Sequence, residues 1–599
     1  MLKKLKGIVK ANFKYFSFFY EYLGIKLLLI VFFSIIIGLF DGLSISIFIP
    51  LLTSAGDDRL LNLSDSNSLY IKDILQSFNI PYTFNYLLLL MLIFFLIKAA
   101  FKYYGERYRV FLVSYFIRSI RGKFLSLVSN ISYASFVKKE IGTIQNSLSK
   151  ECDNVIYGYT QYISIFQNII LVVVYVIMSF ITSAKFTIMV VIVSWLSNAI
   201  FKKFYINSSA ISNNITSKNN LFMSLLLQNI SQFKYLKATS RISIYKNKVE
   251  NVMNEIEDEQ MKLGYISGLL VSLREPILMF FLVIAIYFQV NVMGVKFASI
   301  LLTLLLFYRI FGSLVAVQTN WTGFLKYSGS INHIQEFKKE LLVDQEIITG
   351  ANFDGFKSNI EFKNVSFQYL KGKEILSSIN LEIPKNKSIA FVGKSGSGKT
   401  TLINLLTGLL KPTSGNIIID GEHLSSYNID SYRQNIGFIT QESVVFNDTF
   451  FNNVTFWAEK TKDNLEKFNE IIQKVDLSDF LDGNIDKEDI ILGDNGVVMS
   501  GGQRQRLSIA RELYRETEIL VLDEATSALD SETEKFIQNS IESLKGKVTI
   551  IIIAHRLSTI KNVDLVCLLS NGLLEEKGTF NELVNKSEIF AQMVKMQEL

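Results

Sequence analysis

Apolar residues crowd the first half of the chain in long unbroken runs, and short alternating runs replace them in the second half. Charge-free stretches cover Leu27–Phe40, Ile74–Ile97, Asn154–Ala184, Phe186–Phe201, Pro276–Val295 and Ile310–Leu325. A helix needs about 20 mainly apolar residues to cross the hydrocarbon core. Allowing an occasional charge inside a span, the pattern predicts six membrane helices near 24–52, 83–112, 157–182, 186–206, 264–290 and 295–324. Buried core helices account for apolar runs of about 10–14 residues, and not for six longer ones.

The polar segments between these runs set an orientation. Lys3, Lys4, Lys6, Lys10 and Lys14 precede the first helix. Arg118, Arg121, Lys123, Lys138, Lys139 and Lys150 follow the second, and Lys202, Lys203, Lys218, Lys234, Lys237 and Arg241 follow the fourth. The first outer loop instead has Asp57, Asp58, Asp65 and Asp73 against Arg59 and Lys72. The positive-inside rule then puts both termini in the cytoplasm. No small-residue cleavage site follows the first run, so it reads as a membrane helix and not as a signal peptide. The gaps at about 113–156 and 207–263 are long, polar and compatible with helices that continue into the cytoplasm and return. In the first outer loop, Ile71, Ile74, Leu75 and Phe78 fall at i, i+3, i+4 and i+7. That is the stripe of a short amphipathic helix, lying on the membrane surface or capping the bundle.

Near Leu341 the composition changes, and from Asn359 the pattern alternates: Ile360, Phe362, Val365 and Phe367 share a strand face. The apolar run Ser388–Val392 leads into Gly393-Lys394-Ser395-Gly396-Ser397-Gly398-Lys399-Thr400, followed by a helical stretch over Thr401–Leu410. This is a phosphate loop in its strand–loop–helix setting. Its glycines let backbone N–H groups close round phosphates at a helix N-terminus. Lys399 is expected to reach the β- and γ-phosphates, and the Thr400 hydroxyl to hold Mg²⁺. Further on, Ile519–Leu522 predicts a buried strand ending in Asp523 and Glu524. Asp523 suits the Mg²⁺ shell and Glu524 suits polarising a water. Before it, Ser500-Gly501-Gly502-Gln503 opens an amphipathic stretch that runs to Tyr514, a second anion-binding helix end. One phosphate loop with two such ends suggests that two copies of the chain face each other.

The phosphate loop, Gln441, Met499-Ser500-Gly501-Gly502-Gln503, the acidic strand, Ser527-Ala528-Leu529-Asp530 and His555 resemble, in this order, the ABC ATPase domain. With six helices ahead of it, the whole chain resembles an ABC exporter half-transporter. The resemblance implies an α-helical membrane domain over 1–340 and an α/β phosphate-loop ATPase domain over 341–599. It implies two chains arranged head to tail as a homodimer, with ATP and Mg²⁺ between the phosphate loop of one chain and Ser500–Gln503 of the other. On this resemblance Tyr369 stacks on adenine, and Gly393, Lys394, Ser395, Gly396, Ser397, Gly398, Lys399, Thr400 and Thr401 surround the phosphates. Ser500, Gly501, Gly502, Gln503 and Asp530 complete the ATP site. Thr400, Gln441 and Asp523 are the expected Mg²⁺ ligands, Glu524 the general base, and His555 the γ-phosphate switch. Of the three histidines, His333, His423 and His555, the last alone follows an apolar strand, Thr549–Ile553. Two departures stand out: Met499 replaces a leucine, a volume-conserving swap, and Asp494 stands where exporters often carry Glu. Segments near Ile131–Lys139 and Thr216–Leu226 are placed by analogy as coupling segments to the ATPase domain.

Composition fits this reading. The 599 residues are 49% apolar and 19% charged, with a mean hydropathy of +0.29. Soluble domains carry about 25% charge. Five prolines and 33 glycines exclude collagen-like or proline-rich disorder, and Cys152 and Cys567 build no disulfide framework. The net charge of +6 needs no nucleic-acid partner, because membrane proteins collect Lys and Arg on the cytoplasmic side. Abundant Ile, Lys, Asn and Phe hint at a bacterial source, hence an inner membrane.

Charges inside the spans bear on what is carried. Asp41, Lys98, Arg274, Glu275 and Arg309 lie in or near them, where such groups face a cavity or each other. Pairing of Asp41 with Arg309 is one expectation; a cavity in which Lys98, Arg274 and Arg309 receive an anionic headgroup is the other. Pro276 is expected to kink the fifth helix. Gly38–Ile45 leading to Pro50, Phe78-Asn79-Ile80-Pro81 and Leu306-Phe307-Tyr308-Arg309 resemble lipid-linked oligosaccharide flippases of the PglK type. That resemblance implies a lipid-linked oligosaccharide or other lipid as substrate. A peptide or drug exporter is the alternative within the family, and an ATP-gated channel or regulatory subunit the alternative of another class.

Overall fold

The computed structural model describes residues 14–47, 51, 83–182, 184–287, 291, 297–370, 372–523, 538–539, 542–554 and 556–597. The chain divides into two compact units, residues 1–131 with 135–345 and residues 132–134 with 346–599. The surface helix expected over Ile71–Phe78 lies outside the described residues, as do Lys3, Lys4, Lys6 and Lys10.

The first unit is built from helices. After a helical segment over 14–23 come α1 (Lys26–Ser46), α2 (Phe84–Ser129), α3 (Cys152–Thr182), α4 (Ala184–Ser231), α5 (Ile242–Tyr287), α6 (Phe297–Lys326) and α7 (Ser328–Val343). Among the described residues, four stretches are helical, long and apolar enough to cross a membrane: Lys26–Ser46, Phe84–Ser129, Ile141–Phe180 and Ile242–Ile284. The other two long helices, α4 and α6, stand where the fourth and sixth apolar runs predict them. α2, α4 and α5 have 46, 48 and 46 residues, about 70 Å each at 1.5 Å per residue. That is more than twice the hydrocarbon thickness of about 30 Å, so the polar gaps of the sequence are continuations of the membrane helices.

Burial separates the lipid-facing surface from the core. In the most apolar window of α2 only 6% of residues are buried, and Leu88, Leu89, Leu92 and Leu96 are exposed. Such a surface is at home in hydrocarbon. Farther along, aromatic rings knit the bundle: Phe19 lies 5.8 Å from Phe116 and 5.3 Å from Tyr159, and Tyr162 lies 5.4 Å from Phe324. Phe124 stacks on Phe337 at 6.0 Å. Each such pair adds about 0.5–1.5 kcal/mol beyond its area burial. Glycine lets α7 approach α4, because a Cβ on Gly329 would sit 2.4 Å from the Ser212 carbonyl oxygen.

The second unit holds two sheets. β1 (Asn359–Leu370), β2 (Lys373–Pro384), β4 (Ser414–Ile419) and β5 (Glu422–His423) form an antiparallel sheet in the order β2-β1-β4-β5. Ile360, Phe362, Val365 and Phe367 are all buried, although their spacing slips from even to odd. The slip is absorbed by a break of register between Phe362 and Val365, with Asn364 at φ +51°. The second sheet comprises β3 (Ser388–Val392), β6 (Ile436–Ile439), β7 (Ile519–Asp523), β8 (Thr549–Ile553), β9 (Leu565–Ser570) and β10 (Leu573–Gly578), in the order β10-β9-β3-β8-β7-β6. All its pairings are parallel except β9 with β10.

Both faces of the parallel sheet are covered, which explains why its strands read as unbroken apolar runs. Ala390, Val392, Leu520, Leu522, Ile550 and Ile552 pack into one core. Their neighbours Ile389, Phe391, Ile519, Val521, Ile551 and Ile553 pack into the other. Cys567 lies in that second core, where burial pushes its thiol up to about 12 and leaves it inert. Helix α8 (Lys399–Leu406) follows the phosphate loop and ends earlier than the Leu410 its apolar pattern predicts. Gly408, at φ +69°, turns the chain out of the helix as left-handed glycines do. Helix α9 (Gly501–Tyr514) covers the stretch predicted to be amphipathic.

Candidate active site

The phosphate loop owes its shape to three glycines. Gly393, Gly396 and Gly398 have φ of +152°, +80° and +101°, a region that side chains with a Cβ rarely adopt. Space is short as well. A Cβ on Gly393 would lie 2.1 Å from the Leu569 carbonyl oxygen, and one on Gly398 2.6 Å from the Leu376 side chain. Gly396 has nothing within 4 Å, so only its backbone angle demands glycine. Gly398 is the residue before α8 and offers no capping side chain, which leaves the first N–H groups of α8 directed at the loop. Lys399 is buried, and its Nζ donates to the carbonyls of Gly393 and Lys394 at 2.9 and 3.0 Å. Lys394, Ser395 and Thr400 are exposed, while Ser397 and Thr401 are buried.

Strand register brings the other groups to the same edge. Phe391 on β3 and Asp523 on β7 both pair with Ile553 on β8, so the loop after β3 and Asp523 emerge from one row. Ligands of open α/β sheets bind outside the carboxyl ends of the strands. Gln441, two residues after β6 and exposed, leaves the sheet at this edge too. Tyr369, near the end of β1, is 48% exposed, and its hydroxyl lies 3.4 Å from Thr401 Oγ1. A ring so placed is open for stacking and close to the phosphate-loop helix. Glu524, Ser527–Asp530 and His555 lie outside the described residues.

At the start of α9, Ser500 and Gln503 form a capping box. Gln503 N–H donates to Ser500 Oγ at 3.3 Å, and Ser500 N–H donates to Gln503 Oε1 at 2.8 Å. Gly501 is exposed and Gly502 half-buried, so the turn presents backbone rather than side chains. Met499, ahead of it, is buried in the core, as an apolar replacement for leucine permits. Asp494 accepts from Asn447 Nδ2 at 2.9 Å, between glycines at φ +71° and +66°. At the far end of β3, Asp564 accepts from Ser388 N–H at 2.8 Å, Ser388 Oγ at 2.7 Å and Lys387 Nζ at 3.2 Å. Burial raises its carboxyl pKa, but these bonds outweigh burial and hold it below the usual range.

The oxygen donors suit ATP with Mg²⁺. A hydroxyl (Thr400), an amide (Gln441) and one carboxylate (Asp523) offer the hard oxygen atoms that Mg²⁺ takes beside phosphates and water. Among the described residues no group of three or more His, Cys, Asp and Glu could hold a metal ion on its own.

In the first unit the structure separates residues that the sequence analysis grouped. Asp41 is buried and pairs with Lys98, not with Arg309, and the Tyr175 hydroxyl donates to its second oxygen. Arg274 is fully buried and donates to Thr319 Oγ1, the Gln318 carbonyl and Thr322 Oγ1 at 2.8, 2.9 and 2.5 Å. It does not line the cavity of about 730 Å³ that Asp41, Lys98 and Arg309 share with Lys102, Glu106, Arg109, Tyr175, Glu275 and Tyr308. α5 turns both Nη atoms of this cation toward α6, so the side chain is no part of the cavity lining. Arg109 binds Glu106 at 3.3 Å. Among the described residues, Lys102, Arg309 and Glu275 line the cavity outside these pairs, an excess of one positive charge. Lys102, Glu106 and Arg109 were not singled out from the sequence, yet with Lys98 they recur every three or four residues, one face of a helix. Tyr175 carried no such signal.

Comparison with known proteins accords with this geometry. The model of the ABC transporter transmembrane region matches residues 27–314, and that of the ABC transporter matches residues 376–527. Together they match nearly three quarters of the chain. ATP-dependent lipid A-core flippases of Ralstonia nicotianae, Salmonella typhimurium and Escherichia coli K12 are 41%, 42% and 41% identical over 250, 246 and 241 residues. These matches take in about two fifths of this chain, and the chain spans about two fifths of the length of these relatives. A bacterial Atm1-family ABC exporter with ATP bound has the same fold, with a TM-score of 0.79, 19% identity, and coverage of 96% of this chain and 99% of that one. With a helical transmembrane region and an α/β ATPase region fused in one polypeptide, the chain belongs to the ABC transporters.

Proposed function

We propose that this protein is an ATP-driven lipid flippase of the exporter type, acting as a homodimer in a bacterial inner membrane with both termini and the ATPase unit in the cytoplasm. The observation that carries the ATPase reading is the convergence of the phosphate loop and Asp523 at the carboxyl edge of one parallel sheet. Each chain has one phosphate loop and one Ser500–Gln503 turn, so two chains placed head to tail complete two ATP sites. Lys399 then holds positive charge against the β- and γ-phosphates, and the N–H groups of Ser500–Gly502 face the same γ-phosphate from the partner chain. Glu524, next to Asp523 in sequence, orients the attacking water and accepts its proton, and His555 senses the γ-phosphate. Mg²⁺, held by Thr400, Gln441 and Asp523, supplies charge neutralisation when bound. Asp530 and Tyr369 complete the nucleotide pocket.

The cavity supports a lipid with an anionic headgroup. Lys102 and Arg309 exceed Glu275 once Asp41 and Glu106 are paired, and apolar helix faces surround the charge. The relatives named lipid A-core flippases support a lipid over a peptide. Phosphorylated lipids and lipid-pyrophosphate oligosaccharides share the chemistry this cavity would read. Both belong in one assay: ATP-dependent translocation of each in proteoliposomes, with Glu524→Gln as control. Translocation of either by the parent chain alone is the expected result. Glu524→Gln is expected to lower steady-state hydrolysis by roughly 100-fold or more while ATP binding persists; unchanged turnover would refute the role of Glu524. Healthy hydrolysis without translocation of either lipid would refute the anionic-lipid reading and leave the ATPase intact.

A further inference from the structure

Arg511 is 5% exposed on α9, and every hydrogen-bond acceptor its guanidinium reaches is an amide oxygen. Nη1 donates to the Val444 carbonyl at 3.0 Å, Nε to the Asn453 carbonyl at 2.7 Å, and Nη2 to Asn453 Oδ1 at 3.3 Å. Its Cζ lies 5.4 Å from the ring centroid of Phe446 and 5.1 Å from that of Phe456. A buried cation without a carboxylate in hydrogen-bond contact is costly to desolvate, so what this residue supplies is direction. A guanidinium fork holds the carbonyls of Val444 and Asn453, nine positions apart in the chain, through separate donors in one rigid plane; a lysine ammonium is a single point on a flexible stem without that fork. A second tie runs parallel to it: Ser443 Oγ donates to Gln505 Oε1 of α9 at 2.5 Å. Asn453 fixes the same loop from its other side, accepting from Phe446 N–H at 2.9 Å and donating to the Phe446 carbonyl at 3.0 Å.

These bonds fasten residues 443–446, which lie two to five positions after Gln441, to the helix whose first turn is Ser500–Gln503. We propose that Arg511 is a positioning residue for the loop that carries Gln441, keeping that loop and the Ser500–Gln503 turn at one fixed spacing. A displacement of the Gln441 loop is then passed to the turn through Arg511 and Gln505 instead of being lost in loop motion. The inference rests on the reading of Gln441 as a Mg²⁺ ligand and adds the residue that holds it in place.

The test is the Mg²⁺ dependence of ATP hydrolysis by the full chain in proteoliposomes, for the parent, Gln441→Ala, Arg511→Lys and Ser443→Ala, with nucleotide binding and thermal unfolding measured alongside. The half-saturating Mg²⁺ concentration is expected to rise roughly tenfold in Gln441→Ala and in Arg511→Lys, the size of effect that a small misplacement produces. Ser443→Ala is expected to raise it about threefold, and the Gln441→Ala/Arg511→Lys double variant no further than either alone, because both act on one contact. A residue that only held the fold together would lower thermal stability and nucleotide binding while leaving this concentration unmoved. A folded Arg511→Lys with parental Mg²⁺ dependence beside a shifted Gln441→Ala overturns the inference. No shift in Gln441→Ala overturns the reading of Gln441 and the inference with it. Should Arg511→Lys fail to fold, Ser443→Ala decides in the same way.

Discussion

The phosphate loop and the membrane cavity are both polar sites, yet they are made by different means. The loop is a backbone device, in which three glycines and a helix start create the anion cradle within eight consecutive residues. The cavity is a side-chain device. Its ion pair joins buried Asp41 to half-buried Lys98 across 57 positions of sequence, and Tyr175 adds a bond across 134. A backbone device fails when a Cβ is added, whereas a side-chain device fails when one member of a pair is left without the other.

Substitutions at these sites sharpen that contrast. The largest effect is expected from Gly393→Ala, whose Cβ would meet the Leu569 carbonyl: hydrolysis falls by roughly 100-fold or more as the cradle is displaced. Gly396→Ala, with open space around it, costs only the left-handed backbone angle, about 1–2 kcal/mol. ATPase rates of the two variants that match each other would break the steric account of the loop. Next comes Asp41→Ala, which strands half-buried Lys98 and destabilises the membrane unit by about 2 kcal/mol, below the cost of breaking a fully buried pair. The paired change Asp41→Leu/Lys98→Met restores most of this. Thermal unfolding in detergent measures both, and a double variant no more stable than Asp41→Ala would contradict the pairing. Arg309→Ala is smaller: the stimulation of ATP hydrolysis by anionic lipid falls severalfold, as expected for one lost charge-assisted contact. Equal stimulation in parent and variant would remove Arg309 from the substrate's path.

The smallest effect belongs to Asp564, at the opposite end of β3 from the phosphate loop. Its carboxyl titrates below the ordinary value of 3.8, so the folded chain binds its proton less readily than the unfolded chain. The stabilisation is therefore complete above that ordinary value and is lost as pH falls below it, through the depressed folded value. Asp564→Asn is expected to cost about 1 kcal/mol at neutral pH, allowing for its partial exposure, and less below pH ~4. A constant difference between parent and variant across that range would contradict the assignment.

The same contrast explains what the sequence made legible. Long apolar runs foretold the long helices because the hydrocarbon thickness imposes a length on them. Ser388–Val392 and Ile519–Leu522 were recognisable as central strands because a sheet covered on both faces confines polar residues to the strand ends, as at Ser388. Gly393, Gly396 and Gly398 could be read because the loop geometry admits few other residues. Who pairs with whom inside the bundle was not legible. Asp41 was set beside Arg309 in expectation and stands beside Lys98, because the rotation of α1 against α2 and α6 is fixed by packing over the whole helix. Arg274 was given to the cavity, yet its side chain turns to the hydroxyls of Thr319 and Thr322. The end of α8 was misjudged for a local reason: apolar residues run on to Leu410, but Gly408 breaks the helix before them.

The length of α4 has a mechanical meaning. A 48-residue helix measures about 72 Å, and a rod of that length turns a small rotation into a large travel. Tilting it by about 5° about one end moves the other by roughly 6 Å, one helical turn. α5 is nearly as long but contains Pro276, which removes one hydrogen bond from its ladder and gives the rod a soft joint. Among its three longest helices the bundle therefore sets two uninterrupted levers, α2 and α4, beside one hinged lever, α5, of nearly the same reach, so the same push at one end produces different strokes at the other.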